Sequence, residues 1–429
     1  MKRITLLLAS LTILLMADSC HKRVWDNPWD GYTDNNHRAS FTATLDNYWA
    51  TGESGLMIFL SDMSGNLLAE KSLAGTNDVI LRPSSGSYFP EKIIETLVYK
   101  GPPVDGVTPV YFYSYLNIAP SDWIWKTFQA DSAGTAYLQF DQIPQQTSFS
   151  ISDYSQWIHG DVMSDNYTIT LGKDPDNLYI LMNTTDHGYM YKWVSEVFGY
   201  YYNNIDFAVM DQPQTKTIVI PEATSYSWRL SGYLPAGEHS KGMYTLDFND
   251  RNGISANSVM VHYPSSIFSD YEFYIYTNNT AEPNKQWYQY DFGAIPDRID
   301  ALTGDIQVKN ASPSHFSVNV SGTFDRLGSS WSFTPAGVYR YSWNVYGSPT
   351  DTSFAIPVVP VDLLSQLPGF TKDSLKLSSV EIKDFDGISS YDDLIGKMFV
   401  AGNYIANIVP KYSGLIYQVT GKKEVRSEK

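Results

Sequence analysis

The chain has 429 residues, of which 43% are hydrophobic and 15% aromatic, and its formal net charge at pH 7 is −16. A single hydrophobic core rarely serves more than about 250–300 residues, so this length predicts about two to four domains. The acidic balance argues against nucleic acid and against anionic membrane surfaces as partners.

The first 20 residues have the layout of an export signal that ends at the only cysteine of the chain. Two basic residues are followed by an uncharged, mostly apolar run over 4–15, which is too short to span a bilayer but fits a signal-peptide core. Ser19 precedes Cys20, and a single cysteine has no partner in the chain for a disulfide. The alternative is an ordinary cleaved signal in which this cysteine has no role.

This region resembles the signal of bacterial lipoproteins, in which a small residue precedes the lipidated cysteine. Ala17 and Asp18 depart from the usual pattern in a way that Bacteroides-type surface lipoproteins tolerate. The resemblance implies that residues 1–19 are removed and that Cys20 carries the lipid anchor. With His21 after the cysteine, it also implies an outer-membrane location, facing the cell surface.

Short strands dominate the rest of the chain. Residues 20–38 are polar and turn-rich and are interpreted as a tether. GLMIFLSD (55–62), a Met-Ser-Gly-Asn turn and LLAEKSL predict a hairpin, and YTITL (167–171) and FSVNV (316–320) alternate as strands do. Only 361–367 and 391–398 look helical. The sequence therefore predicts an all-β protein built from tandem β-sandwich domains.

Six pairs of segments recur in the same order, which predicts an internal duplication. The first pair is GLMIFLSDMSGN (55–66) with GMYTLDFNDRNG (242–253), and the last is IDFAVM (205–210) with TSFAIP (352–357). The spacing between partners shrinks along the chain, which implies extra residues in the first copy, each copy being one sandwich or two small ones. The predicted domains are a sandwich repeat over 39–235 with an insertion at 101–134, a second repeat over 236–420, and a polar tail over 421–429.

No motif for catalysis or for cofactor binding is found. The seven histidines are scattered, and the chain has no HExxH, GxSxG, P-loop or GxGxxG pattern. Acidic turns at 247–250 and 384–387 do not have the EF-hand spacing, and Asp and Asn beside Gly are first of all turn residues. We therefore expect no catalytic residues, no metal and no cofactor, although a carboxylate pair assembled across the fold would leave no local motif.

Aromatic clusters are the better indication of a binding site. Tyr111, Tyr113, Trp123 and Trp125 lie in the insertion, and three consecutive tyrosines follow a strand at 200–202. Aromatic rings stack on the C–H faces of sugars at little entropic cost, so these four insertion residues are candidate ligand contacts. Trp123 and Trp125 would share one face of a strand. The alternative is that the rings pack inside the sandwiches.

Lipoproteins of the Bacteroides type also O-glycosylate a short Asp-Ser/Thr-aliphatic pattern. That pattern occurs here at Ser132 and at Ser374. The resemblance implies that both serines are candidate acceptors.

The leading hypothesis is a non-enzymatic, lipid-anchored surface protein that binds glycan, with other surface proteins as alternative partners and no role for nucleic acid. The rival is a pilus or adhesin subunit, because the pattern at 58–68 resembles transthyretin-like domains and the layout resembles fimbrillins. An exposed aromatic row would favour glycan binding, whereas an N-terminal strand removable after Arg38 would favour a pilus. A carbohydrate-active hydrolase is the third option and has no supporting motif.

Overall fold

The computed structural model describes residues 38–45, 55–73, 78–125, 134–154, 156–173, 175–235, 243–249, 256–278, 282–335, 337–402 and 409–419. Within them the chain forms 27 strands and two short α-helices, so the predicted all-β class is confirmed. The predicted signal peptide, Cys20 and nearly all of the tether lie outside the described residues.

The first unit is a sandwich of two sheets. Its strands are β1 (Phe41–Leu45), β2 (Gly55–Ser61), β3 (Leu67–Ser72), β4 (Asp78–Leu81), β5 (Ile93–Lys100), β6 (Thr108–Ile118) and β7 (Asp122–Trp125). One sheet has the order β4-β1-β7, with β7 parallel to β1 and β4 antiparallel to it. The other half of the sandwich has the order β3-β2-β5-β6.

The predicted hairpin at 55–73 is present as the antiparallel pair β2 and β3. The Asp62 carboxylate closes the turn by accepting the backbone N–H groups of Ser64 and Asn66, each at 2.9 Å. Gly65 has a φ of 85°, a left-handed conformation that glycine adopts at little cost. The turn residues therefore stabilise the hairpin that the sequence predicts.

The second unit repeats the pairing of the first, strand for strand. Its strands are β8 (Gly134–Asp141), β9 (Gln146–Ser152), β10 (Trp157–Gly160), β11 (Asn166–Leu171), β12 (Asp176–Thr184), β13 (Gly188–Val197) and β14 (Tyr202–Asp206). The sheets have the orders β11-β8-β14 and β10-β9-β12-β13, and β14 again runs parallel to the first strand, β8.

The third unit has the same plan with a shortened seventh strand. Its strands are β15 (Gln214–Ala223), β16 (Ser225–Tyr233), β17 (Met243–Asn249), β18 (Ala256–Tyr263), β19 (Asp270–Asn278) and β20 (Lys285–Gly293). β15 pairs with β18, and the other sheet has the order β17-β16-β19-β20. Where the first two units have a seventh strand, a single parallel bridge joins Val219 to Arg298.

In the fourth unit, the position of the seventh strand is taken by a strand that precedes the other strands of the unit in the sequence. Its elements are β21 (Gly304–Ser312), β22 (His315–Gly322), β23 (Arg326–Phe333), β24 (Tyr339–Gly347), β25 (Ser353–Phe354), α1 (Val361–Leu364), β26 (Lys376–Phe385), α2 (Tyr391–Ile395), which continues into a π-helical turn (Gly396–Val400), and β27 (Lys411–Gln418). β21 lies antiparallel to β22, on the side where the first unit places its parallel seventh strand. Both helices begin where the sequence predicts them. α1 ends three residues before the predicted end, whereas α2 together with its π-helical turn reaches Val400.

Three of the four units share one sheet. β20 of the third unit pairs with β27 of the fourth, and β24 of the fourth pairs in parallel with β6 of the first. The result is a 12-stranded sheet with the order β17-β16-β19-β20-β27-β26-β23-β24-β6-β5-β2-β3. The second unit packs on the third instead, since Tyr179, Leu181 and Tyr191 belong to the same apolar cluster as Tyr244 and Phe268.

The twofold duplication predicted from the sequence is not confirmed. β2, which contains most of GLMIFLSD, lies between β3 and β5, whereas its proposed counterpart β17 stands at the edge of the 12-stranded sheet. Alternating strands of similar composition match one another by pattern alone, because alternation does not encode the pairing partner. The strand pairing instead follows one smaller plan in all four units.

The proposed domain limits are corrected in the same way. The boundary at 235/236 falls inside the third unit, between the paired strands β16 and β17. The segment 101–134 is not a protruding insertion, because it supplies β6 and β7 to both sheets of the first unit.

Candidate functional site

The indoles of Trp123 and Trp125 do not form the stacking surface expected from the sequence. They are only 1% and 7% exposed and lie in the core of the first unit. The Trp123 ring stacks on Phe399 with centroids 4.2 Å apart and planes 4° apart, and its Nε1 donates to Ser121 Oγ at 2.9 Å. The pair faces one side, as predicted, but that side is the interior.

Tyr111 and Tyr113 are half-buried on the strand β6. With Tyr99 and Tyr346 they form a row of stacked rings, in which neighbouring centroids are 5.1 to 6.3 Å apart. Burial raises the pKa of Tyr113. These rings contact one another across β5, β6 and β24, so the row is mainly a packing feature of the 12-stranded sheet.

Of the two predicted acceptor serines, only one lies in the described residues. Ser374 lies in a 3₁₀ turn, is half-buried, and shares a hydrogen bond with the Thr371 hydroxyl. Ser132 lies outside the described residues.

Among the described residues, the most exposed aromatic cluster lies on the second unit. Tyr200, Tyr201 and Tyr202 are 74%, 67% and 79% exposed, and Tyr137 of β8 is 41% exposed. We refer to these four side chains as the tyrosine platform. The sequence alone shows the run at 200–202 as an aromatic cluster, but its partner Tyr137 lies more than 60 positions earlier, and no sequence pattern links the two.

Strand register brings the platform together. β8 and β14 are parallel neighbours in which Tyr137 and Tyr202 stand opposite each other. Their rings stack with centroids 5.4 Å apart and planes 28° apart. The next residues of both strands, Leu138 and Asn203, point to the other side of the sheet, because side chains alternate along a strand.

Hydrogen bonds of one asparagine hold the loop before β14. The Asn203 amide oxygen accepts the Phe198 N–H at 3.1 Å, and its nitrogen donates to the carbonyls of Phe198 and Tyr201, both at 3.0 Å. The Tyr200 N–H also donates to the Thr135 carbonyl at 2.7 Å. These hydrogen bonds hold the backbone of the loop that carries the rings.

Tyr200 has a backbone conformation that is rare for its residue type. Its φ is 64°, in the left-handed region that costs a residue with a Cβ of order 1 kcal/mol or more. The ring lies against Gly134, where an added Cβ would stand 2.9 Å from it. Strain of this kind is typical of positions where a side chain is placed for binding.

The platform can stack on flat or C–H-rich ligand faces and can exchange hydrogen bonds through its phenol groups. The described residues contain no group of three or more His, Cys, Asp or Glu side chains arranged to hold a metal ion. In the part of the chain that the structure describes, no helix has the length and apolarity needed to cross a bilayer.

Comparison with known proteins adds little. No family model matches the chain, and no curated protein matches it. One matching solved structure is described as "Ca2+-stabilized adhesin helps an Antarctic bacterium reach out and bind ice". It is 8% identical, the match covers 82% of this chain and 95% of that chain, and the TM-score is 0.11. A TM-score this low supports no conclusion about the fold or the function of this chain.

Proposed function

We propose that this chain is a non-enzymatic, lipid-anchored protein of the outer membrane that binds glycan at the cell surface through the tyrosine platform. The observation that supports glycan binding is the presence of four exposed tyrosine rings on β8 and at the start of β14, of which Tyr137 and Tyr202 stack on each other. A hydrogen-bonded loop carries the other two. Preorganised rings lose little entropy when a sugar stacks on them.

The binding experiment uses the full chain, purified in a detergent without a sugar headgroup, on a glycan array. A glycan that binds is then titrated against the double variant Tyr200→Ala, Tyr202→Ala. Each stacked ring contributes about 1 kcal/mol, so the double variant should bind about thirtyfold more weakly. Tyr88→Ala, an exposed ring of the first unit, is the matched control and should bind as the unchanged chain does.

The anchor has its own test. Cys20→Ala should move the protein from the membrane fraction to the soluble fraction. A variant that stays in the membrane fraction after a high-salt wash would show that the anchor lies elsewhere.

The pilus alternative depends on a strand ahead of Arg38, and that segment lies outside the described residues. β1, which follows Arg38, is the central strand of its sheet. Cleavage after Arg38 would therefore leave the first unit with all seven strands.

A further inference from the structure

A cleft of about 370 Å³ lies between the second and third units. Its walls come from β9, β10, β12 and β13 of the second unit and from β16, β17 and β18 of the third. On the second unit the cleft is lined by the sheet β10-β9-β12-β13, whereas the tyrosine platform belongs to the other sheet, β11-β8-β14. Its volume is at the lower end of the range for small-molecule sites, about 300–1,000 Å³.

A buried carboxylate–imidazole pair forms part of the cleft wall. His262 Nδ1 lies 2.7 Å from Asp247 Oδ2, and the same oxygen accepts the His262 backbone N–H at 2.8 Å. The imidazole ring also stacks on Tyr189, with centroids 3.7 Å apart. The ring is thus fixed on one edge and on one face. Because Asp247 engages Nδ1, Nε2 is the ring nitrogen that can meet a ligand.

Ser150 supplies a second polar group to the same cleft. Its side chain is 2% exposed, and among the described residues its hydroxyl has no hydrogen-bond partner. A buried hydroxyl without a partner carries an energetic cost, because it has lost its hydrogen bonds to water. A ligand hydroxyl in the cleft would remove that cost.

The remaining described wall is aromatic and acidic. It includes Tyr189, Phe248 and Asp161, and it includes no Lys or Arg. This composition disfavours anionic ligands and suits a compact ring with one apolar face and several hydroxyl groups.

We propose that the cleft binds a neutral, hydroxyl-bearing ligand of the size of one sugar ring or polyol. Its hydroxyls donate to His262 Nε2 and exchange hydrogen bonds with Ser150 Oγ, while its apolar face lies against the aromatic wall. This site does not depend on the tyrosine platform.

The test titrates the full chain, in a detergent without a sugar headgroup, with glucose, galactose, mannose, xylose, N-acetylglucosamine and sorbitol. Binding is followed by isothermal calorimetry and by tryptophan fluorescence, since Trp228 lines the cleft. At least one of these probes should bind saturably, and Ser150→Ala should raise its dissociation constant about tenfold. His262→Gln should also weaken binding, but it leaves a buried carboxylate without its partner, so Ser150→Ala is the decisive variant.

The matched control is Ser61→Ala, since Ser61 is also buried, has no hydrogen-bond partner among the described residues and lies in the first unit. Saturable binding that falls in Ser150→Ala but not in Ser61→Ala supports the proposal. Absence of binding to all six probes, or equal binding by the two variants, would overturn it. The double variant Tyr200→Ala, Tyr202→Ala should bind the cleft probe normally, which separates this proposal from the one on the platform.

Discussion

The seventh strand of the first unit and that of the second lie in the same place but present their aromatic rings to opposite sides. On β7, Trp123 and Trp125 stand beside the buried residues Ala43 and Leu45 of β1 and point inward. On β14, Tyr202 stands beside Tyr137 of β8 and points outward. Exposure of an aromatic residue is therefore decided by its phase within the strand, not by its chemical type.

The residues that pack on β7 and on β14 differ as well. Phe399, from the π-helical turn of the fourth unit, lies against both indoles of β7, with ring centroids 4.2 and 4.7 Å away. The described neighbours of β14 leave Tyr202 largely exposed. Rings that complete a core are thus expected to contribute to stability, and rings outside it to binding.

The largest effect is expected from Trp123→Ala. Removing a fully buried indole should lower the free energy of unfolding by about 3–5 kcal/mol, because the transfer free energy is lost and a cavity remains. Urea unfolding followed by circular dichroism measures it, with Tyr88→Ala as the exposed control. A loss below about 1 kcal/mol would show that the two seventh strands do not differ in the way proposed.

The platform variant should give the reverse pattern. Tyr200→Ala with Tyr202→Ala removes exposed rings, so the free energy of unfolding should change by less than about 1 kcal/mol, while glycan binding falls by about 2 kcal/mol. The two quantities are measured on the same preparation, by urea unfolding and by calorimetry. A large loss of stability with unchanged binding would assign these rings to packing instead.

Local features of the fold were predictable from the sequence. Alternation identified the strands, the turn at Asp62 and Gly65 fixed a hairpin, and the two helical segments were found. The order of strands in the sheets was not predictable, since β24 pairs with β6 more than 200 positions away and nothing in either pattern specifies the other.

The candidate site was partly visible in the sequence. Three consecutive tyrosines at a strand end cannot all point inward, because successive side chains alternate, so some exposure at 200–202 was implied. Tyr137 and the cleft residues were not recognisable, since Ser150 and His262 come from different units and meet only through the packing of one sandwich on another. Trp123 and Trp125 were misassigned because alternation places them on one face without saying which face is covered.

A buried carboxyl group in the first unit gives a smaller effect that depends on pH. Glu95 is fully buried, neither of its oxygens has a hydrogen-bond partner among the described residues, and burial raises its pKa well above 4.5. Between about pH 4.5 and the folded-state pKa, Glu95 therefore keeps a proton in the folded state that it releases in the unfolded chain. The contribution of Glu95 to stability should be greatest below about pH 4.5 and should fall as the pH rises toward its folded-state pKa, by about 1.4 kcal/mol for each pH unit in that window.

Glu95→Gln should remove this part of the pH dependence, because an amide does not ionise. The difference in unfolding free energy between the unchanged chain and the variant should grow from pH 4.5 to pH 7.5, in favour of the variant. Glu91→Gln, at an exposed position of the same unit, is the control. A constant difference across this range would mean that water reaches the carboxyl group and that the first unit is less dry than its packing indicates.

The smallest effect should come from Asn203, which holds the platform without belonging to it. Asn203→Ala removes the three hydrogen bonds to Phe198 and Tyr201 and a longer one to the Tyr137 carbonyl. It should lower the unfolding free energy by about 1 kcal/mol. Glycan binding should weaken about fivefold, because the loop must then be ordered when the sugar binds. Asn204→Ala, whose side chain is exposed on the neighbouring position, should change neither quantity. If Asn203→Ala lost stability but kept full affinity, the rings would not need the loop to hold them, and exposure alone would distinguish β14 from β7.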